Sequence, residues 1–224
     1  HLNWALCVKP ISSFMFNIFK TKPVLTDEDL QFQIETFKWL MKHFGGDDFH
    51  KETELILPTR KYFPAEVSSP EEAVVETFHQ VKKYAGMSEW PCELVEQEPD
   101  VEIRVAATVA LQNVPNTPHG TFSSNNEKVQ ITYNPALASN PPQLVATLAH
   151  ELAHYLTATA PEPPPGGWDN WEFVTDLAAV FLGFGIFLSN SAFNFQQYTD
   201  VDSQGWSYQR SGYLSEAELA FALA

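Results

Sequence analysis

Two stretches in the first hundred residues repeat apolar side chains at steps of three and four, the period of an amphipathic helix. The first follows the acidic start Thr26-Asp-Glu-Asp29, ends at Gly45-Gly46, and carries its apolar face at Leu30, Ile34, Phe37, Met41 and Phe44. The second follows Ser69-Pro70, ends near Gly86, and carries Val74, Val75, Phe78 and Val81 on one side. The pattern therefore predicts two helices, each with one buried face.

Extended runs rich in β-branched residues lie between and after these helices, at 54–63, 92–97 and 101–111. A further run at 128–133 alternates strictly: Val129, Ile131 and Tyr133 fall on one face, and Gln130 and Thr132 fall on the other. One face packs and the other meets water, as in an edge strand. The runs predict one mixed β-sheet with 128–133 at its edge.

The last third of the chain predicts helices. Asn140 is a candidate N-cap for a helix over about 141–157, and the proline-rich residues 157–168 predict a surface loop after it. A second helix covers about 169–189, and Ser215-Glu-Ala-Glu218 is a capping box for a last one. The apolar run at 177–188 spans 12 residues, short of the roughly 20 that cross a bilayer, so it predicts a core helix and no membrane span.

We expect an α+β fold in one domain, 1–224, with a mixed α/β lobe over 1–140 and a helical part over 141–224. The 44% of hydrophobic residues can bury a core, and the net charge of −15 argues against nucleic acid as a partner. Cys7 and Cys92 lack metal or disulfide spacing and predict free thiols. The chain opens on His1 and ends inside a predicted helix, so we expect truncated termini. Localisation stays open, with the cytoplasm favoured, and so does the oligomeric state.

The helix predicted at 141–157 carries two histidines and a glutamate in the order His150-Glu151-x-x-His154. Four positions along a helix turn about 400° and rise about 6 Å, so both imidazoles leave one face and can converge on one metal ion. Zinc takes such nitrogen ligands, and a hydrolytic site keeps one position open for water. Glu151 flanks this point, where its carboxylate can take a proton from the attacking water and pass it to a leaving amine.

Two acids on the next predicted helix, Glu172 and Asp176, also share a face, and Glu172 lies 18 positions after the second histidine. Glu172 is a candidate third ligand. Asp176 is a candidate partner for the outer nitrogen of a ligand histidine, the ring nitrogen that faces away from the metal. Alternatively, both acids are solvated residues at a helix N-terminus, where the helix dipole favours negative charge. Asp176 fits that alternative less well, because it directly precedes a run that must be buried.

The segment His150-Glu151-Leu-Ala-His154, followed by Glu172-Phe-Val-Thr-Asp176, resembles the gluzincin metallopeptidases, the thermolysin-like class of zincins. The resemblance implies a zincin-like fold, with an active-site helix between an N-terminal mixed sheet and a mainly helical C-terminal part. It implies one Zn²⁺ per chain held by His150, His154 and Glu172. It further implies Glu151 as general base and Asp176 behind the ligands.

The resemblance also implies that the edge strand at 128–133 aligns a peptide or protein substrate by strand addition, with Gln130 and Thr132 as candidate substrate-binding residues. The three-histidine zincin pattern is absent, since Thr157 and Ala160 stand at its glycine and third-histidine positions. The matching part covers roughly 128–188, about a quarter of the chain, and the first 90 residues match no family pattern.

A peptidase also needs a donor for the developing oxyanion. Tyr208 is the first candidate, with Arg210, His119 and Tyr155 behind it. The remaining histidines with no partner at ligand spacing, interpreted as non-functional, are His43, His50 and His79. The leading hypothesis is zinc-dependent peptide-bond hydrolysis. The alternatives are a catalytically weak or inactive zincin-fold protein that binds metal and regulates, which the missing oxyanion motif favours, and a purely structural zinc site.

Overall fold

The computed structural model describes residues 23–45, 49–64, 67–97, 107–111, 129–199 and 214–224. They form a mixed α+β structure that is mostly helical and carries a small β-sheet. Three described helices precede the sheet: α1 (Asp27–Leu40, extended by a π-helical turn at Met41–Gly45), α2 (Phe49–Glu52) and α3 (Pro70–Tyr84). The predicted starts of α1 and α3 are confirmed, since the side chains of Thr26 and Ser69 cap these helices by accepting backbone N–H groups.

The described sheet has three strands in the order β1 (Cys92–Glu96), β3 (Val129–Tyr133) and β2 (Ala107–Leu111). β1 runs parallel to β3 and β2 runs antiparallel to it, so the predicted mixed sheet is confirmed. The alternation along β3 is confirmed as well, because Val129, Ile131 and Tyr133 are buried. The prediction that this strand lies at the edge is wrong, since β3 has a hydrogen-bonded neighbour on each side. Alternation reports which face is buried and says nothing about the number of neighbouring strands.

Among the residues that the structure describes, four helices follow the sheet: α4 (Pro141–Ala158), α5 (Trp171–Ala179), α6 (Gly185–Thr199) and α7 (Glu216–Leu223). Asn140 caps α4, and Ser215 and Glu218 form the predicted capping box of α7. Of the surface loop predicted at 157–168, residues 160–167 form an irregular loop whose residues 161–163 are exposed, whereas Thr157 lies in α4 and is buried.

The single helix predicted over about 169–189 is divided into α5 and α6 by a π-helical turn at Val180–Phe184. Gly183 in that turn has a φ of 97°, which L side chains rarely adopt. Its carbonyl accepts the N–H of Ile56 at 2.9 Å, and a Cβ on Gly183 would lie 2.2 Å from the carbonyl oxygen of Glu54. Only glycine allows the two backbones to approach this closely. The apolar pattern of the sequence continues through the break, so it predicts one helix where the structure has two.

The prediction of a strand at 54–63 is also wrong, and the same break at Gly183 is part of the reason. Ile56 gives its backbone N–H to the break at Gly183 instead of a neighbouring strand, and Pro58 has no N–H to give. A turn follows, in which the N–H of Tyr62 donates to the carbonyl of Thr59 at 3.1 Å. The run contains apolar residues because Ile56 and Tyr62 are buried in the core. Residues of an irregular segment can be buried in this way as well as residues of a strand, so apolar content does not distinguish the two.

The buried face of α1 also differs from the predicted one. Gln33, Thr36 and Leu40 are buried, whereas Ile34 keeps 41% of its surface exposed. The side-chain amide of Gln33 donates to the carbonyl of Glu218 on α7 at 3.1 Å. A contact with the other end of the chain therefore turns a polar position inward, against the apolar period.

α4 lies at the centre of the described structure and packs against α3, α5, α6 and the sheet. The buried apolar residues around it form one cluster that reaches from Trp39 to Leu219. The helical stretch Trp168–Ala192 is long and apolar enough to cross a membrane, but 72% of its apolar window is buried inside the protein. This burial is consistent with the predicted core helix.

Candidate metal centre

Three side chains from two helices converge beside the core. His150 and His154 lie one turn apart on α4, and Glu172 lies in the first turn of α5. The Nε2 atoms of His150 and His154 lie 3.3 Å and 3.2 Å from Oε2 of Glu172. One potential ligand atom from each residue lies within 4.8 Å of the others, and the described part of the chain holds no second group of this kind. The structure thus brings together the three residues that the sequence predicted as candidate ligands.

Asp176 holds the outer nitrogen of His150. Its Oδ1 lies 2.9 Å from Nδ1 of His150, and its Oδ2 accepts the backbone N–H of Leu214 at 2.8 Å. Both His150 and Asp176 are buried. Because a carboxylate can only accept, Nδ1 of His150 carries a hydrogen and Nε2 faces Glu172. Asp176 thus contacts the outer nitrogen of a candidate ligand histidine, as the sequence predicted.

The outer nitrogen of His154 has a partner that sequence reasoning missed. Oγ1 of Thr175 lies 3.0 Å from Nδ1 of His154. The ring of Trp171 packs edge-on against the imidazole with the centroids 5.0 Å apart, and its Nε1–H donates to Thr157 on α4 at 2.8 Å. A signal was available, because Trp171 and Thr175 lie one helical turn apart and share the side of α5 that carries the two acids.

The charges in this cluster are strongly coupled. Burial lowers the pKa of His150, but its hydrogen bonds with Asp176 and Glu172 outweigh burial and raise that pKa to about 10. Burial lowers the pKa of His154, and Glu172 opposes this only in part. Burial raises the pKa of Glu172, yet hydrogen bonds with the two imidazoles hold it well below its usual range. Glu172 is therefore an ionised carboxylate that bridges two imidazoles.

Glu151 lies beside the cluster on α4, directly after His150, with 5% of its surface exposed. Its negative charge adds to the interactions that raise the pKa of His150, so the carboxylate lies within electrostatic reach of that imidazole. The cluster meets solvent through Glu172 and His154, whose side chains are 44% and 13% exposed. A small molecule or a chain segment can therefore approach the cluster on the side of Glu172.

The donor set fits a divalent metal ion that prefers nitrogen and oxygen ligands. Two imidazole nitrogens and one carboxylate oxygen are a common protein ligand set in hydrolytic metal sites. Each imidazole also has its outer nitrogen bonded to a neighbour, which fixes the orientation of the ring. Both the ligand atoms and the groups behind them are thus arranged as such a site requires.

The remaining candidate site residues in the described part of the chain are Tyr155, Gln130 and Thr132. The hydroxyl of Tyr155 donates to the carbonyl of Pro91 at 3.4 Å, and its ring packs against Trp90. Tyr155 therefore packs α4 against the residues that precede β1. Gln130 and Thr132 lie on the partly exposed face of β3. Because β3 is a central strand, its backbone is already paired on both sides, and the reason for assigning these two residues to substrate binding is lost. The predictions for Tyr208, Arg210, His119 and Cys7 fall outside the described residues.

His43 has a contact that spacing alone did not show. Its Nε2 lies 2.8 Å from Oε1 of Glu162, and Lys42 pairs with the same carboxylate. Hydrogen bonds with Lys42 and His43 lower the pKa of Glu162. The contact links the loop after α4 to the end of α1.

Cys92 is a free thiol, as predicted, and burial raises the pKa of that thiol.

Comparisons of the chain with protein-family models, with curated proteins and with solved structures gave no match in any of the three.

Proposed function

We propose that this protein is a zinc-dependent peptidase in which water attacks the peptide bond and a glutamate acts as general base. The convergence of His150, His154 and Glu172 is the observation that carries this proposal. A structural zinc site is closed by four protein ligands, whereas the described residues offer three here, with the charge of Glu151 acting on His150 beside them. The resemblance to the gluzincin motif supports the same ligand set.

In this reaction, different residues of the cluster bind the metal, transfer the proton and orient the imidazoles. His150, His154 and Glu172 would hold the zinc ion, which when bound polarises a carbonyl and lowers the pKa of water. Glu151 takes a proton from the attacking water and delivers it to the leaving amine. The groups at the outer nitrogens of the two histidines keep the imidazoles oriented throughout.

The general base is tested by Glu151→Gln. The amide keeps the shape of the side chain but cannot take a proton, so we expect peptide cleavage to fall about 10²- to 10⁴-fold while the metal content stays at the wild-type level. Cleavage is measured with a fluorogenic peptide library and metal by elemental analysis. Glu89→Gln, at an exposed position in the turn before β1, is the matched control and should change neither quantity. Wild-type cleavage by Glu151→Gln would contradict the mechanism.

The ligand set is tested by the metal content of wild type beside His154→Ala and Glu172→Ala. We expect one tightly held zinc per wild-type chain and its loss or weakening in both variants, because each removes one of three ligands. A wild-type protein that purified without zinc and bound no added metal would remove the basis of the proposal.

The central position of β3 favours a second candidate, a zincin-like protein that binds metal without efficient catalysis. A substrate strand cannot pair with a strand that already has a neighbour on each side, so the substrate alignment implied by the resemblance has no place on β3. Zinc binding by wild type, together with no cleavage of any library peptide above the level of Glu151→Gln, would favour this candidate over the peptidase.

A further inference from the structure

His154 is held from two sides by residues of α5. Thr175 has no exposed surface and places its Oγ1 3.0 Å from Nδ1 of His154, while Trp171 packs edge-on against the ring. Trp171 is itself held, because its indole N–H donates to Thr157, which is also fully buried. The imidazole therefore cannot rotate without breaking its hydrogen bond with Thr175 and displacing an indole ring.

The two histidines are held by different chemistry. Nδ1 of His150 faces the carboxylate of Asp176, whereas Nδ1 of His154 faces the neutral hydroxyl of Thr175. A hydroxyl can accept or donate, so when a metal ion takes the place of the Nε2 hydrogen, Thr175 can accept the hydrogen of Nδ1 and leave the lone pair of Nε2 for the ion. That tautomer is the one in which Nε2 of His154 can bind a metal ion.

We propose that Thr175 is a positioning residue for His154 and that its hydroxyl is required for full metal affinity. The proposal rests on the proposed function, since it takes His154 as a metal ligand. Groups behind ligand histidines commonly contribute about 10- to 100-fold to metal affinity, and a neutral hydroxyl belongs at the lower end of that range. Thr175 is fully buried, so its methyl group is shielded from water as well, and the loss of the hydroxyl and the loss of the methyl group have separable effects.

Substitutions at two buried threonines separate these effects in the full chain. Thr175→Val and Thr175→Ala remove the hydroxyl, and Thr175→Ser keeps it. Thr36→Val makes the same chemical change at a buried threonine of α1, whose hydroxyl has no hydrogen-bond partner among the described residues. Zinc affinity is measured by competition with a chromophoric chelator, ligand geometry by the visible absorption of the Co²⁺-substituted protein, and folding by circular dichroism.

We expect zinc affinity to fall about 10-fold in Thr175→Val and Thr175→Ala, with an altered Co²⁺ spectrum, and to stay within about 2-fold of wild type in Thr175→Ser and Thr36→Val. Equal affinities and spectra in Thr175→Ala and Thr175→Ser would overturn the proposal, because these variants differ only by the hydroxyl oxygen. The same pair decides the question if Thr175→Val does not fold. Failure of the metal site on which the proposed function depends has a different signature, since wild type would then bind neither zinc nor Co²⁺.

Discussion

Asp176 makes two contacts with one carboxylate. One oxygen holds Nδ1 of His150, and the other accepts the N–H of Leu214, just before α7. All three residues are buried, so the loss of either contact leaves a polar group without a partner in a medium of low dielectric constant. A single side chain therefore links a candidate metal ligand to the last described segment of the chain.

Replacing Asp176 by asparagine removes the charge and one of the two acceptors. We expect metal affinity to fall about 10- to 100-fold, because the outer nitrogen of His150 loses its anionic partner. We also expect a loss of about 1–3 kcal/mol of unfolding free energy, because one buried N–H group is left without an acceptor. Chelator competition and urea denaturation measure the two effects.

The matched control for this change is Asp169→Asn, at an exposed position in the turn before α5, where both quantities should keep their wild-type values. Wild-type zinc affinity in Asp176→Asn would show that the carboxylate does not support the ligand.

At the scale of whole elements, the break between α5 and α6 joins two distant parts of the chain. The carbonyl of Gly183 is free of the regular helix ladder at this point and accepts the N–H of Ile56. The segment around Ile56 thereby gains a backbone partner without forming a strand. The residue at the break must be glycine for two separate reasons, the positive φ and the close carbonyl of Glu54.

Gly183→Ala tests these two reasons against a control that shares only one of them. Gly86 also has a positive φ, of 70°, but a Cβ there would meet nothing within 4 Å. We expect Gly86→Ala to cost about 1–2 kcal/mol of unfolding free energy from the backbone conformation alone. Gly183→Ala should cost about 2–5 kcal/mol, because a steric clash is added. Equal losses in urea denaturation would show that the contact with Glu54 is not as close as described.

At the scale of the whole molecule, the candidate metal centre joins the consecutive helices α4 and α5 to the segment that precedes α7. α4 supplies His150 and His154, α5 supplies Glu172, and Asp176 extends the connection to Leu214. α4 is also the helix around which the described core is packed. A metal ion held by residues of α4 and α5 would bind the folded chain and not the unfolded one, so it would stabilise the fold.

Thermal unfolding with and without zinc measures this coupling. At free zinc about 100 times the dissociation constant, binding contributes about 2.7 kcal/mol. For a chain of this size, we expect Tm to rise by about 5–10 °C. Glu172→Ala should lose most of the shift, since it lacks one ligand. An equal rise in wild type and Glu172→Ala would mean that the stabilising zinc binds elsewhere.

Residues close in sequence determined most of the candidate site without tertiary information. The spacing of His150 and His154 places both on one face of α4, and the spacing of Glu172 and Asp176 does the same on α5. The caps at the starts of α1, α3, α4 and α7 follow from equally local patterns. A helix imposes the relative position of residues a few steps apart, so the sequence by itself is sufficient for these features.

Only the tertiary structure decided which distant groups became partners. It gave β3 two neighbours, paired Ile56 with the break at Gly183, and turned Gln33 inward toward α7. It also placed Thr175 behind His154, a contact between two helices. An apolar pattern records that a position is buried, but the identity of its hydrogen-bond partner depends on chain segments that lie tens of residues away.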